Sequence, residues 1–123
     1  MTNEVKRWVF SLLQASPVKE LVSGRIHQFR TGAEVPAPFV VVTNVRTNYL
    51  ATKGATFVDG YAFVALCVAN TAESASALAD SVVKQLDGQF SPILDRVITV
   101  SSKLEQYDFE QGNFVTNVEF QIL

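Results

Sequence analysis

The amino-acid sequence predicts an α+β domain: a mostly antiparallel sheet of about five strands, with two main helices packed on one face. Apolar residues recur at helical spacing near the N-terminus and again between residues 72 and 86. Elsewhere they alternate with polar residues, or run unbroken, in stretches rich in Val, Ile, Phe and Thr, as strands do. A chain of 123 residues, 48% of them apolar, is enough for one core but not for two.

Val5, Trp8, Val9, Leu12 and Leu13 fall at i, i+3, i+4, i+7 and i+8, one stripe of a first helix. Thr2 or Asn3 is placed to cap it, and Glu4 sits near its positive end. Ser16-Pro17 ends that helix and starts a short second one, because Pro pushes the residue before it out of the α region yet suits a first helical position. Val18, Leu21 and Val22 are expected to face inward there, and Gly24 to supply the left-handed end. A strand is expected over residues 25–29 and a loop over 30–38, which holds Gly32, Pro36 and Pro38. Residues 39–45 are apolar and β-branched, as in a central strand buried on both faces. Residues 46–56 are polar and read as a long hairpin loop.

Residues 57–69 form the next expected strand, with Phe57, Asp59, Tyr61, Phe63, Ala65 and Cys67 on one face. Asn70 followed by Glu73 has the form of a capping box. Ala75, Leu78, Ala79, Val82 and Leu86 then repeat at helical spacing up to Asp87-Gly88. Residues 89–96 read as a link to a strand over about 97–107, and a last strand covers 114–122. In that strand Phe114, Thr116, Val118, Phe120 and Ile122 are expected to face in. The expected order is α-α-β-β-β-α-β-β.

Composition narrows the chemistry. The net charge is −2, and no stretch holds more than two adjacent basic residues. A nucleic-acid binder needs a basic stripe to displace counterions, so direct binding is disfavoured. No apolar run approaches the roughly 20 residues of a membrane span, and the N-terminal segment is amphipathic and unlike a secretion signal. Use in a cytoplasm is the expectation. The single cysteine, Cys67, precludes an intramolecular disulfide and sits in an apolar strand as a small hydrophobe. His27 is the one histidine and has no thiol or carboxylate at ligand spacing. The acidic groupings, Glu105 with Asp108 and Glu110, and Asp87 with Asp95, fall at strand ends and turns, where carboxylates are ordinarily solvated. Neither a dinucleotide fingerprint nor a phosphate loop is present. No catalytic, cofactor-binding or metal residue is therefore assigned, and an enzyme is not expected.

The positive signal lies in residues 46–56, longer than a hairpin needs; long loops tend to be functional or disordered. Arg46, Thr47, Asn48, Tyr49, Leu50 and Lys53 are candidate assembly residues. Tyr49, Phe90 and Phe109 lie in or beside expected loops, as interface anchors do. Charged residues are 18%, below the usual ~25%, which fits a surface covered by self-association or one that is polar without charge.

Several segments form an ordered series. Ser23-Gly24-Arg25-Ile26 comes after the opening helix, and Pro36-Ala37-Pro38-Phe39-Val40-Val41-Val42 begins a strand. Ala72-Glu73-Ser74-Ala75-Ser76-Ala77-Leu78-Ala79-Asp80 leads to Val83-Lys84-Gln85-Leu86-Asp87-Gly88. Gly112-Asn113-Phe114 and Glu119-Phe120-Gln121-Ile122-Leu123 close the chain. In this order the segments resemble the tail-completion, or tail-terminator, proteins of long-tailed bacteriophages, a family of small head–tail joining proteins. The resemblance covers residues 5–123, with Phe39 where the family usually has Tyr. It implies a single tail-terminator-like domain over residues 1–123. It also implies a self-assembled ring, typically hexameric, on the head-proximal end of the tail tube, made in the host cytoplasm and carried in the tail or neck of the virion. Such a ring stops tube growth and meets the head-completion protein. DNA passes through it without specific binding, and it needs no cofactor and no membrane. The resemblance further implies that residues 46–56 meet the tube or line its lumen. Another phage neck or tube component, or a small α+β ligand-binding domain, are the other classes the sequence admits.

Overall fold

A computed structural model describes residues 2–15, 17–27, 37–92, 95–109 and 112–122, with the backbone alone at residues 2, 3, 44, 50, 52 and 56–59. The elements are α1 (Thr2–Gln14), α2 (Pro17–Leu21), β1 (Ile26–His27), β2 (Phe39–Thr52), β3 (Ala55–Ala69), α3 (Ala72–Leu86), β4 (Phe90–Ser91), β5 (Arg96–Asp108) and β6 (Asn113–Ile122). The strands form one six-stranded sheet in the order β1-β2-β3-β6-β5-β4. The β1–β2 pairing is parallel and the others are antiparallel. The expected α+β class and mostly antiparallel sheet hold. The strand count does not: β4 forms inside the expected link, where Phe90 pairs with Val97 and Ser91 with Arg96.

Helical and strand periodicities converge on one core. Val5, Val9 and Leu13 of α1 are buried, with Trp8 and Leu12 partly buried against them. Ala75, Leu78, Ala79, Val82 and Leu86 of α3 are buried on the sheet. The sheet offers alternate residues to the helices: Val40 and Val42, then Tyr61, Phe63, Ala65 and Cys67, then Val118, Phe120 and Ile122, with Ile98 beyond. The Phe63 and Phe120 rings stack at 5.3 Å across the two inner strands. Burying one such side chain is worth roughly 1.5–3 kcal/mol. Gln85 Nε2 donates to the Leu12 carbonyl at 3.2 Å and ties α3 to α1.

Several local expectations shift. α1 already includes Thr2 and Asn3 in its first turn, so neither precedes it as a cap. Leu21 is exposed, because α2 is only five residues long and Val18 and Val22, four apart, take its inner side. Thr71, not Asn70, caps α3: Ser74 N donates to Thr71 Oγ1 at 3.1 Å. Of residues 39–45, expected to be buried on both faces, only Val40, Val41 and Val42 are buried; Phe39 and Thr43 are half-buried and Val45 is exposed, and β3 and β6 are the inner strands. Among the described residues only β1 lies outside β2, opposite Val40 and Val41.

Candidate functional site

Residues 46–56 are not a loop. β2 runs on to Thr52, the chain turns at Lys53-Gly54, and β3 begins at Ala55. Gly54 takes φ +92°, a conformation that suits glycine at a tight reversal. The stretch is polar yet paired strand, and of its described side chains Arg46, Tyr49, Ala51 and Lys53 are exposed. Ile122, the end of β6, pairs with Tyr61. Beyond that row, among the described residues, only β2 and β3 pair with each other: Asn48 with Gly60, Tyr49 with Val58, Leu50 with Phe57, Ala51 with Thr56 and Thr52 with Ala55. This two-stranded arm projects past the sheet by roughly 17 Å at the rise of an antiparallel strand. Register shifts flank its root, with Val45 as the extra residue on β2 and Asp59 on β3. Bulges of this kind bend and twist a strand and re-aim the residues beyond them.

The six candidate assembly residues are thus gathered on one strand and its turn. Arg46 is exposed at the root, opposite Ala62, and Thr47 and Asn48 are half-buried. Tyr49 is 65% exposed and Lys53 is exposed at the turn. Leu50 lies in β2 opposite Phe57, but its side chain is outside the described residues.

A second surface lies across the sheet. β4 pairs with only the first two residues of β5. Just beyond, the chain satisfies that edge locally: Ile98 N donates to the Gln89 carbonyl at 2.8 Å, and Val100 N to Asp87 Oδ1 at 3.1 Å. From Ser101 to Tyr107 no strand pairs with the outer edge of β5 among the described residues, and the side chains on both faces are exposed. Leu104 is 55% exposed on the face away from the helices. Tyr107 packs edge-on against Phe109 at 4.8 Å and against Phe114 at 4.8 Å, and Phe109 is 88% exposed. The sequence pointed to Phe90 and Phe109 but missed Leu104 and Tyr107. Their alternation looks like that of any strand, and only the strand order makes β5 an edge.

The groups weighed for chemistry stay apart. Cys67 is buried, and burial pushes its thiol up to about 12, with the Lys103 charge pulling weakly the other way. The thiolate needed for nucleophilic attack is therefore scarce near neutrality. His27 is half-buried in β1, its Nε2 without a hydrogen-bond partner among the described residues. Among the described residues no three of His, Cys, Asp and Glu come together as a metal-holding group. Glu105 and Asp108 lie along β5, Asp95 sits in a turn with φ +57°, and Glu110 is outside the described residues. Lys103 reaches over to α3, donating to Asp80 Oδ1 at 2.8 Å and Ser76 Oγ at 3.1 Å; the Asp80 hydrogen bond raises its pKa. No described helix is long and apolar enough to cross a membrane.

No protein-family model matches the chain, and no curated protein matches it. Among solved structures it is similar to a chain from the virion of a native gene transfer agent (GTA) particle, with a TM-score of 0.75. The two share 16% identity over 93% of this chain and 89% of that one. At that identity the likeness is one of fold.

Proposed function

We propose that this chain is a structural component of a phage-like particle, forming a ring that caps the head-proximal end of the tail tube. The ring ends tube growth and offers a joining surface to the head-completion protein. The observation that carries the reading is the fold shared along nearly the whole chain with a virion component. The ordered segments from Ser23 to Leu123, which resemble the tail-terminator family, narrow it to the tube end and to a ring that is typically hexameric. The role is one of shape and interface: the lone histidine and the buried thiol are not placed to act on a bond. A net charge of −2 fits a ring through which DNA slides without being held. Arg46, Thr47, Asn48, Tyr49, Leu50 and Lys53 are the contact residues of this reading, the first two at the root of the arm and the others on it.

Light scattering on the purified chain, alone and with polymerising tube protein, tests this. Rings at one end of the tubes, and tubes that stop growing, are expected. Incorporation along the whole tube would make the chain a tube component instead. A persistent monomer that leaves tube length unchanged would sink the reading.

A further inference from the structure

We infer that the tip of the β5–β6 hairpin is the docking surface for the head-completion protein, with Phe109 entering an apolar pocket on that partner whose rim carries Lys or Arg. This rests on the capping reading and names its head-side contact.

The tip and the arm stand at opposite ends of the sheet. The rows run from Tyr61 beside Ile122 to Ala69 beside Phe114, and Asp108 faces Asn113 one row further out. The arm turns back at the other end of β3. That strand has 15 residues, roughly 45 Å at the rise of an antiparallel strand. A cap has two sides. The arm takes the tube side in the proposed reading, so the hairpin tip at the far end of the same strands is turned away from the tube.

The tip is built as an anchor. Tyr107 stands between two rings, Phe109 edge-on and Phe114 tilted, each at 4.8 Å. The turn closes on it: Gly112 N donates to the Asp108 carbonyl at 2.7 Å, and Gly112 takes φ +70°. The Tyr107 hydroxyl lies 3.8 Å from where a Cβ on Gly112 would sit. Phe109 is held by these contacts, yet it is the most exposed large apolar side chain among the described residues. None of the three rings belongs to the core, so folding does not account for them. Aromatic side chains are enriched at interfaces, and one that is already ordered gives up little freedom on binding.

Charge sets what the pocket must carry. Residues 104–123 hold four acidic side chains, Glu105, Asp108, Glu110 and Glu119, and no basic one; the rest of the chain has ten basic and eight acidic. Glu105 is exposed two residues before Tyr107, on the same face of β5, and Glu73 is exposed in the first turn of α3. Lys103, the last basic residue of the chain, donates to Asp80 and Ser76 on α3. An acidic rim around an aromatic anchor attracts a basic surface and repels an acidic one. The described side-chain charges of the arm and its root, Arg46 and Lys53, have the opposite sign, so the two ends select different partners.

Phe109→Ala, Phe109→Tyr and Glu105→Lys separate this contact from folding and from capping. Both positions are exposed, so far-UV circular dichroism and the unfolding midpoint should match the wild type. Tubes capped by each variant should stop at the wild-type length. Binding of purified head-completion protein to the capped tubes is then read by interferometry. Phe109→Ala should bind roughly tenfold more weakly or worse, while Phe109→Tyr should still bind. Glu105→Lys should associate roughly threefold more slowly at low salt, a difference that disappears as salt is raised. Phe109→Ala binding as tightly as wild type overturns the tip contact and leaves the cap standing. Loss of capping by Phe109→Ala also overturns it, because the tip would then belong to a ring or tube contact. Wild-type caps that hold no head-completion protein remove the joining surface while tube-length control stays. A wild type that caps no tube removes the capping reading and this inference together.

Discussion

Phe120 and Cys67 show how much of this molecule is decided one side chain at a time. Phe120 is fully buried and stacks on Phe63 between the two inner strands, with no exposed route for relaxation. Phe120→Ala is expected to destabilise the fold by roughly 3–5 kcal/mol, read as a lower urea midpoint. Trp8→Ala should cost less, since Trp8 is only partly buried against the core. Alternation along 114–122 is enough to mark Phe120 as inward, because a strand with one wet face writes its orientation into its residues. Cys67 is equally readable as a small apolar residue. With its thiol pushed up to about 12 and its surface buried, it should react with a thiol dye at pH 8 only as fast as the chain unfolds. Rapid labelling of the native protein would show that β3 opens locally. Leu104 and Tyr107 are not readable in this way: exposure on both faces of a strand is a property of its neighbours.

The β2–β3 arm is where an element departs most from its sequence. Residues 46–52 carry no period-2 apolar signal, so they resemble a loop. They are strand because each lies opposite a residue of β3, and Gly54 reverses the chain in two residues. β4 has the same origin: two residues become strand because Phe90 and Ser91 meet Val97 and Arg96. The helices are far more legible, since α1 and α3 bury a face that their own spacing defines. Even so the α3 cap moves by one residue, from Asn70 to Thr71, a choice made by backbone geometry between two competent side chains. No described side chain of the arm belongs to the core, so its removal is expected to leave the domain folded. Replacing residues 48–60 with Asn-Gly keeps Thr47 opposite Tyr61 as the closing pair of a tight hairpin. The expected outcome is an unfolding midpoint close to wild type together with loss of rings on tubes. Unchanged tube capping after that deletion would show that the arm is only a long tip.

For the whole molecule, the α+β class, the two main helices, and the inward residues of β3, β6 and α3 come from the sequence alone. Each depends on periodicity or composition, which are local and survive without knowledge of neighbours. Strand order, the identity of the edges and the reach of the arm came only with the tertiary structure. They depend on pairings between distant segments, such as Tyr61 with Ile122 and Val68 with Val115, which no local pattern records. The candidate assembly residues straddle that line. The sequence singled out Arg46, Tyr49 and Lys53 as polar chain that the core does not require. The tertiary structure put Arg46 at the root, and Tyr49 and Lys53 on a ribbon beyond the end of β6, and among the described residues left the β5 edge from Ser101 to Tyr107 without a paired strand on the other side of the sheet, because β6 ends at Ile122 and β4 is only two residues long.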